Sequence, residues 1–273
     1  LIDIALIDFS PYFAVAGGAS IAGLTALPIL IFVSKNRPSW EETSNLFVSG
    51  VALLFAFPAC IGVGLSTILP SEIALTLSFI PFLNALFLAT KNGNVFSRRF
   101  WIFILLGTLL IIFFILDGQE SKGWLPIMVI ILGGWFASYG YSISVNLVIK
   151  KESLWVVSWS FVIILPISLL TSWTFLPEFI FYLPVMSIVT IILLGIFSMY
   201  FGMISWFSGL RSGRVQSVQL TQLLFALIFI SLIIEDNITS RNLVFALFLT
   251  CIFCLCHREK ERILVLRREY NAK

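Results

Sequence analysis

The sequence predicts an all-α polytopic membrane protein, built as an inverted repeat of five-helix units with nine transmembrane helices present. Three observations predict it. Nine long apolar segments alternate with short polar loops, and the basic residues gather on every second loop. The composition is 59% hydrophobic and only 11% charged, whereas a soluble domain carries about a quarter charged residues.

A spanning helix needs about 20 mostly apolar residues. In chain order the segments that qualify are 11–33, 46–66, 72–90, 100–116, 125–149, 154–173, 184–208, 215–234 and 242–257. Helices are required because an unpaired backbone group is costly in lipid, and barrel strands would be shorter and alternating. Pro28, Pro58, Pro81 and Pro166 fall inside segments, as membrane helices permit when a neighbouring helix covers the kink.

Positive charge orients the chain. One set of loops carries Lys35 and Arg37, then Lys91, Arg98 and Arg99, then Lys150 and Lys151, then Arg211 and Arg214. The tail adds Arg258, Lys260, Arg262, Arg267, Arg268 and Lys273 to the same side, making 15 of the 17 Lys and Arg. The other side holds Lys122 and Arg241 among Asp117, Glu120, Glu178, Glu235 and Asp236. This places the C-terminus in the cytoplasm of a multi-pass protein. The net charge of +3 is then a matter of topology and implies no nucleic-acid partner.

On this count the N-terminus lies outside, and residues 1–10 lack the basic start and apolar centre of a signal peptide. The expectation is a chain that lacks one preceding span. An internal repeat points the same way. Asn94-Val95-Phe96-Ser97-Arg98 is echoed 143 residues later by Asn237-Ile238-Thr239-Ser240-Arg241. The same shift lays 11–33 on 154–176, 46–66 on 189–209, 72–90 on 215–233 and 100–116 on 243–259. Only 125–149 finds no partner. A shift of five spans turns one half upside down relative to the other, the arrangement found in many secondary transporters.

Three stretches carry a resemblance: Gly134–Tyr139, Tyr200–Leu210, and the short hinges at 92–94 and around Glu235. In these the chain resembles the drug/metabolite transporter superfamily, in its ten-helix EamA-like branch, over nine of the ten expected helices. The resemblance implies a first repeat over 1–116 lacking its first helix, a second over 124–257, and a basic cytoplasmic tail over 258–273. The first hinge, Asn92-Gly93-Asn94, lacks the family's acidic residue. Pro81 fits the family's placement of proline, and the region around Gln222 does not.

No Asp, Glu, Lys, Arg or His lies deep inside a predicted span. Intramembrane charge usually marks an ion or proton path, so this disfavours a proton antiporter built on a buried glutamate. Phosphorylated cargo, which would need Arg or Lys in the cavity, is disfavoured too. Glu72, opening the helix 72–90, is the candidate coupling group; its plainer reading is a helix-start acid in headgroup water.

Trp135, Ser138, Tyr139, Ser142 and Asn146 share one helix face. As function, the aromatic rings stack on a solute while hydroxyls and an amide orient it. As structure, small polar residues join membrane helices. Gln216, Gln219 and Gln222 follow at i, i+3 and i+6, with Thr76, Ser78 and Asn84 on the register-matched wall. Three glutamines in one span need partners or water. Tyr200 is a further candidate for contact with solute, and Trp206 reads either so or as an interfacial anchor. Gly64, Pro81, Gly202 and Gly209 are candidate bending points, with close helix packing as their other reading.

Cys251, Cys254, Cys256 and His257 occupy several faces of a helix end. A zinc site needs four converging ligands, so no metal and no cofactor is expected. The tail contains Ile263, Leu264, Val265 and Leu266 among its basic residues and suits an anionic inner leaflet.

The expected function is secondary transport, with export across a bacterial inner membrane of a small neutral or zwitterionic metabolite such as an amino acid or aromatic compound. The expected partners are that metabolite and membrane lipid. A membrane-embedded enzyme on a lipid-like substrate would need carboxylates or histidines grouped at the surface, and no such group is visible. A non-transporting sensor or subunit would bind solute without moving it. Oligomeric state is not written in the sequence.

Overall fold

A computed structural model of the chain describes residues 2–33, 36–80, 83, 87, 98–117, 124–178, 183–211, 244–252 and 254–255. Among the described residues the regular structure is helical, with no strand. The helices are α1 (Ile2–Ala5), α2 (Pro11–Val33), α3 (Trp40–Ser49), α4 (Phe57–Leu65), α5 (Pro70–Leu77), α6 (Arg98–Asp117), α7 (Trp124–Lys150), α8 (Ser153–Thr174), α9 (Val185–Leu193) and α10 (Gly202–Arg211). Residues 244–252 and 254–255 are helical as well.

Among the described residues, five helices are long and apolar enough to cross a membrane: Pro11–Phe32, Trp40–Leu65, Trp124–Lys150, Ser153–Thr174 and Val185–Gly209. They coincide with five of the nine expected spans. The segment 215–234 and most of 81–90 lie outside the described residues.

Two of these spans are not uniform α-helices. A π-helical segment, Gly50–Ala56, joins α3 to α4, and another, Leu194–Phe201, joins α9 to α10. At their ends the Phe57 N–H donates to the Ala52 carbonyl, and the Gly202 N–H to the Phe197 carbonyl. Each bond reaches back five residues instead of four. Pro58 explains the first widening, since its ring has no N–H and crowds the carbonyl four residues earlier. The second has no proline and is bracketed by Gly195 and Gly202.

By contact the chain divides into two units, Leu1–Thr67 with Met128–Arg214, and Ile68–Ile127 with Val215–Lys273. In the first, α2 and α8 pack along their lengths, α2 also meets the second π-helical segment, and α8 meets α3 and the first. Glycine permits these approaches. A Cβ on Gly195 would lie 2.7 Å from the Gly18 carbonyl oxygen, and one on Gly50 2.9 Å from Ile164 Cγ2 and 3.3 Å from the Ser160 carbonyl oxygen.

Each end of this unit carries a polar clasp. The capping box of Ser39 and Glu42 starts α3: the Glu42 N–H donates to Ser39 Oγ (3.3 Å), and the Ser39 N–H to Glu42 Oε2 (2.8 Å). Lys151 Nζ lies 3.0 Å from Glu42 Oε1 and 4.9 Å from the centre of the Trp155 ring, whose indole N–H donates to the Asn36 carbonyl (2.9 Å). At the other end the Ser187 hydroxyl donates to the Asp8 carboxylate. Beside that bond Ala5, Phe9, Phe13, Ala14 and Ile191 form a buried cluster. In the second unit, α5 and α6 touch.

Candidate functional site

The orientation of α7 follows from its glycines. A Cβ on Gly133 would lie 2.6 Å from Cys60 Cβ, and one on Gly140 2.8 Å from Leu53 Cβ. These positions seat α7 against the span Trp40–Leu65. Helical geometry then turns Trp135, Tyr139, Ser142 and Asn146 to the opposite side.

There the two rings stack, with centroids 5.6 Å apart and planes 8° from parallel. Trp135 is 44% exposed and Tyr139 37% exposed, so both rings offer area to a partner. One turn on, the Ser142 hydroxyl donates to the Tyr139 carbonyl (2.7 Å), and Asn146 Nδ2 donates to the Ser142 carbonyl (3.4 Å). The result is an aromatic platform beside a hydroxyl and an amide on a helix of membrane-spanning length. Such a face can stack a planar or apolar group and hydrogen-bond a polar one.

Ser138, read from the sequence on the same stripe, is fully buried. Its burial shows that the edge of the stripe nearest Tyr141 is covered. On a third side, the Tyr141 ring lies 5.8 Å from Trp206 of α10. The Trp206 indole N–H is buried and finds no acceptor among the described residues. An interfacial anchor would keep that group in headgroup water, so the structure favours a packing role for Trp206.

Tyr200 sits away from the platform. It is fully buried; its hydroxyl lies 2.6 Å from Ser158 Oγ and its ring 6.3 Å from Phe161. It ties the second π-helical segment to α8. In the second unit, Glu72 occupies the first turn of α5, which Pro70 opens. Thr76 is buried and its hydroxyl donates to the Glu72 carbonyl (2.8 Å), while buried Ser78 donates to the Leu75 carbonyl. Asn84, Gln216, Gln219 and Gln222 lie outside the described residues.

Among the described residues no group of three or more His, Cys, Asp or Glu is placed to hold a metal ion. Cys251 and Cys254 are exposed thiols, and Cys256 and His257 lie outside the described residues. Sequence reasoning missed the Glu42–Lys151 clasp. Its signal was available in Ser39-Trp40-Glu41-Glu42, which has the Ser-x-x-Glu spacing of a capping box.

Over 243 residues the chain is 26% identical to a Bacillus subtilis (strain 168) protein named "Uncharacterized transporter YdeK", a match covering 86% of this chain and 83% of that relative. No protein-family profile matches. With the apolar helices above, this likeness decides the broad class. The chain is a multi-pass membrane protein. A protein of known crystal structure superposes with a TM-score of 0.68 at 17% identity, over 97% of this chain and 92% of the other. That likeness is one of fold.

Proposed function

We propose that the chain is a secondary transporter of the ten-helix EamA-like type, exporting a small neutral or zwitterionic metabolite such as an amino acid or aromatic compound by alternating access. The observation that carries this reading is the exposed Trp135–Tyr139 stack with Ser142 and Asn146 on a span-length helix. A polar face of that kind avoids lipid and suits a hydrated solute path. The relative named a transporter supports the same reading.

Alternating access is supported by paired features. The two π-helical segments begin at 50 and 194. The clasp residues Asp8 and Lys151 stand 143 positions apart, and their partners Ser187 and Glu42 stand 145 apart. Gly50 meets Ser160 and Ile164 much as Gly195 meets Gly18 and Ile21. Inverted halves bring equivalent helices together across a pseudo-two-fold axis and bind substrate between them. The gathering of basic residues on alternate loops supports a cytoplasmic C-terminus and residence in a bacterial inner membrane.

The test is counterflow of a labelled amino-acid panel in liposomes containing the full-length protein. Saturable exchange of one solute, reduced at least tenfold by Trp135→Ala or Asn146→Ala, supports the carrier and its site. Absence of exchange for every solute rejects the amino-acid reading.

A further inference from the structure

A second polar site lies where three candidate spans end. A surface cavity of about 430 Å³ is lined by Glu152, Ser153, Leu154, Ile204, Ser208 and Arg211. Lys150 closes one span, Ser153 opens another and Gly209 closes a third, which sets the cavity at headgroup depth.

Its polar groups are unspent. Glu152 is the N-cap residue of α8, yet its side chain makes no capping bond, so the first-turn N–H groups have no side-chain acceptor there. Ser153 is only 6% exposed, and its hydroxyl makes no hydrogen bond among the described residues. Arg211, in the last turn of α10, lines the same cavity as Glu152 without an ion pair between them. The Ser208 hydroxyl donates to the Ile204 carbonyl (2.7 Å), which leaves its oxygen an acceptor. Leu154 and Ile204 complete an apolar wall.

We infer that this cavity binds the phosphoethanolamine headgroup of a membrane lipid. A helix N-terminus, a free hydroxyl and a guanidinium together suit a phosphate diester. Glu152 and the Ser208 oxygen suit the primary ammonium, and the apolar wall suits the glycerol and first methylenes. Opposite charges that face one cavity unpaired match a zwitterion better than a simple anion. The depth at the span ends favours a lipid over a soluble phosphate ester. The inference rests on membrane residence and is independent of transport.

Native mass spectrometry of the full chain in detergent, titrated with phosphatidylethanolamine or phosphatidylglycerol, tests it. The expected result is preferential retention of phosphatidylethanolamine. Arg211→Gln should reduce its affinity about tenfold, the loss of one charge-assisted contact. Glu152→Gln should erase the preference over phosphatidylglycerol. If Arg211→Gln does not fold, Arg211→Lys and Ser153→Ala carry the same comparison. Equal retention of both lipids by wild type, or variants that bind like wild type, overturns the proposal. Soluble O-phosphoethanolamine binding as tightly as the lipid overturns the lipid assignment and makes the site one for a soluble phosphate ester.

Discussion

Trp135 and Tyr200 are both aromatic residues that the sequence singles out for solute contact, and their surroundings differ. Trp135 lies on an exposed platform, whereas Tyr200 is fully buried with its hydroxyl on Ser158. Tyr200→Phe should therefore act on stability. Its loss is expected at about 0.6 kcal/mol, the average for a hydrogen bond between membrane helices, measured by unfolding in detergent, with exchange little changed. Trp135→Ala should do the reverse, lowering exchange and leaving the melting temperature within a degree or two. The stripe Trp135, Tyr139, Ser142 and Asn146 was legible because helical period alone groups it. Burial of Ser138 was not, because the helical period groups residues on a face without saying which edge of it a neighbour covers.

Among the helices, glycine content separates into contacts that need it and positions that do not. Gly195→Ala puts a methyl group 2.7 Å from the Gly18 carbonyl oxygen, an overpacking expected to cost about 1–3 kcal/mol. At Gly209 an added Cβ meets nothing within 4 Å. Gly209→Ala should leave stability unchanged or raise it by up to about 1 kcal/mol through helix propensity. Comparison of the two melting temperatures checks the packing directly and bears on Gly209 as a bending point. The Glu42–Lys151 pair is partly exposed, at 24% and 35% for the two side chains, so its Coulomb contribution is modest, about 0.5 kcal/mol. Lys151→Met, which also removes the cation over Trp155, should cost more than Glu42→Gln, and the difference should persist in high salt. Span positions were readable from apolar length. The π-helical segments were not, since hydropathy does not sense a change from four- to five-residue bonding.

On the scale of the whole chain, the charge pattern makes a prediction that needs no substrate. A cysteine replacing exposed Ser39 should react with a membrane-impermeant maleimide from the cytoplasmic side, and one replacing exposed Thr174 from the outer side. The reverse labelling would reject the orientation. Five spans and the multi-pass class were legible in the sequence because lipid imposes length and polarity on every crossing. The spacing of the proposed repeat is approximate. An ungapped shift of 143 matches α2 to α8, whereas the clasp partners Glu42 and Ser187 require 145; the difference falls between α8 and α9. The π-helical segments carry this point into comparison with relatives. A turn closed by a five-residue bond holds one residue more than an α-turn, so losing one residue from 50–56 or 194–201 restores an ordinary helix without breaking the span. Alignment gaps in the middle of a membrane segment usually signal an error. In relatives of this chain, a single-residue gap at those two places is the expected trace of a π-turn gained or lost.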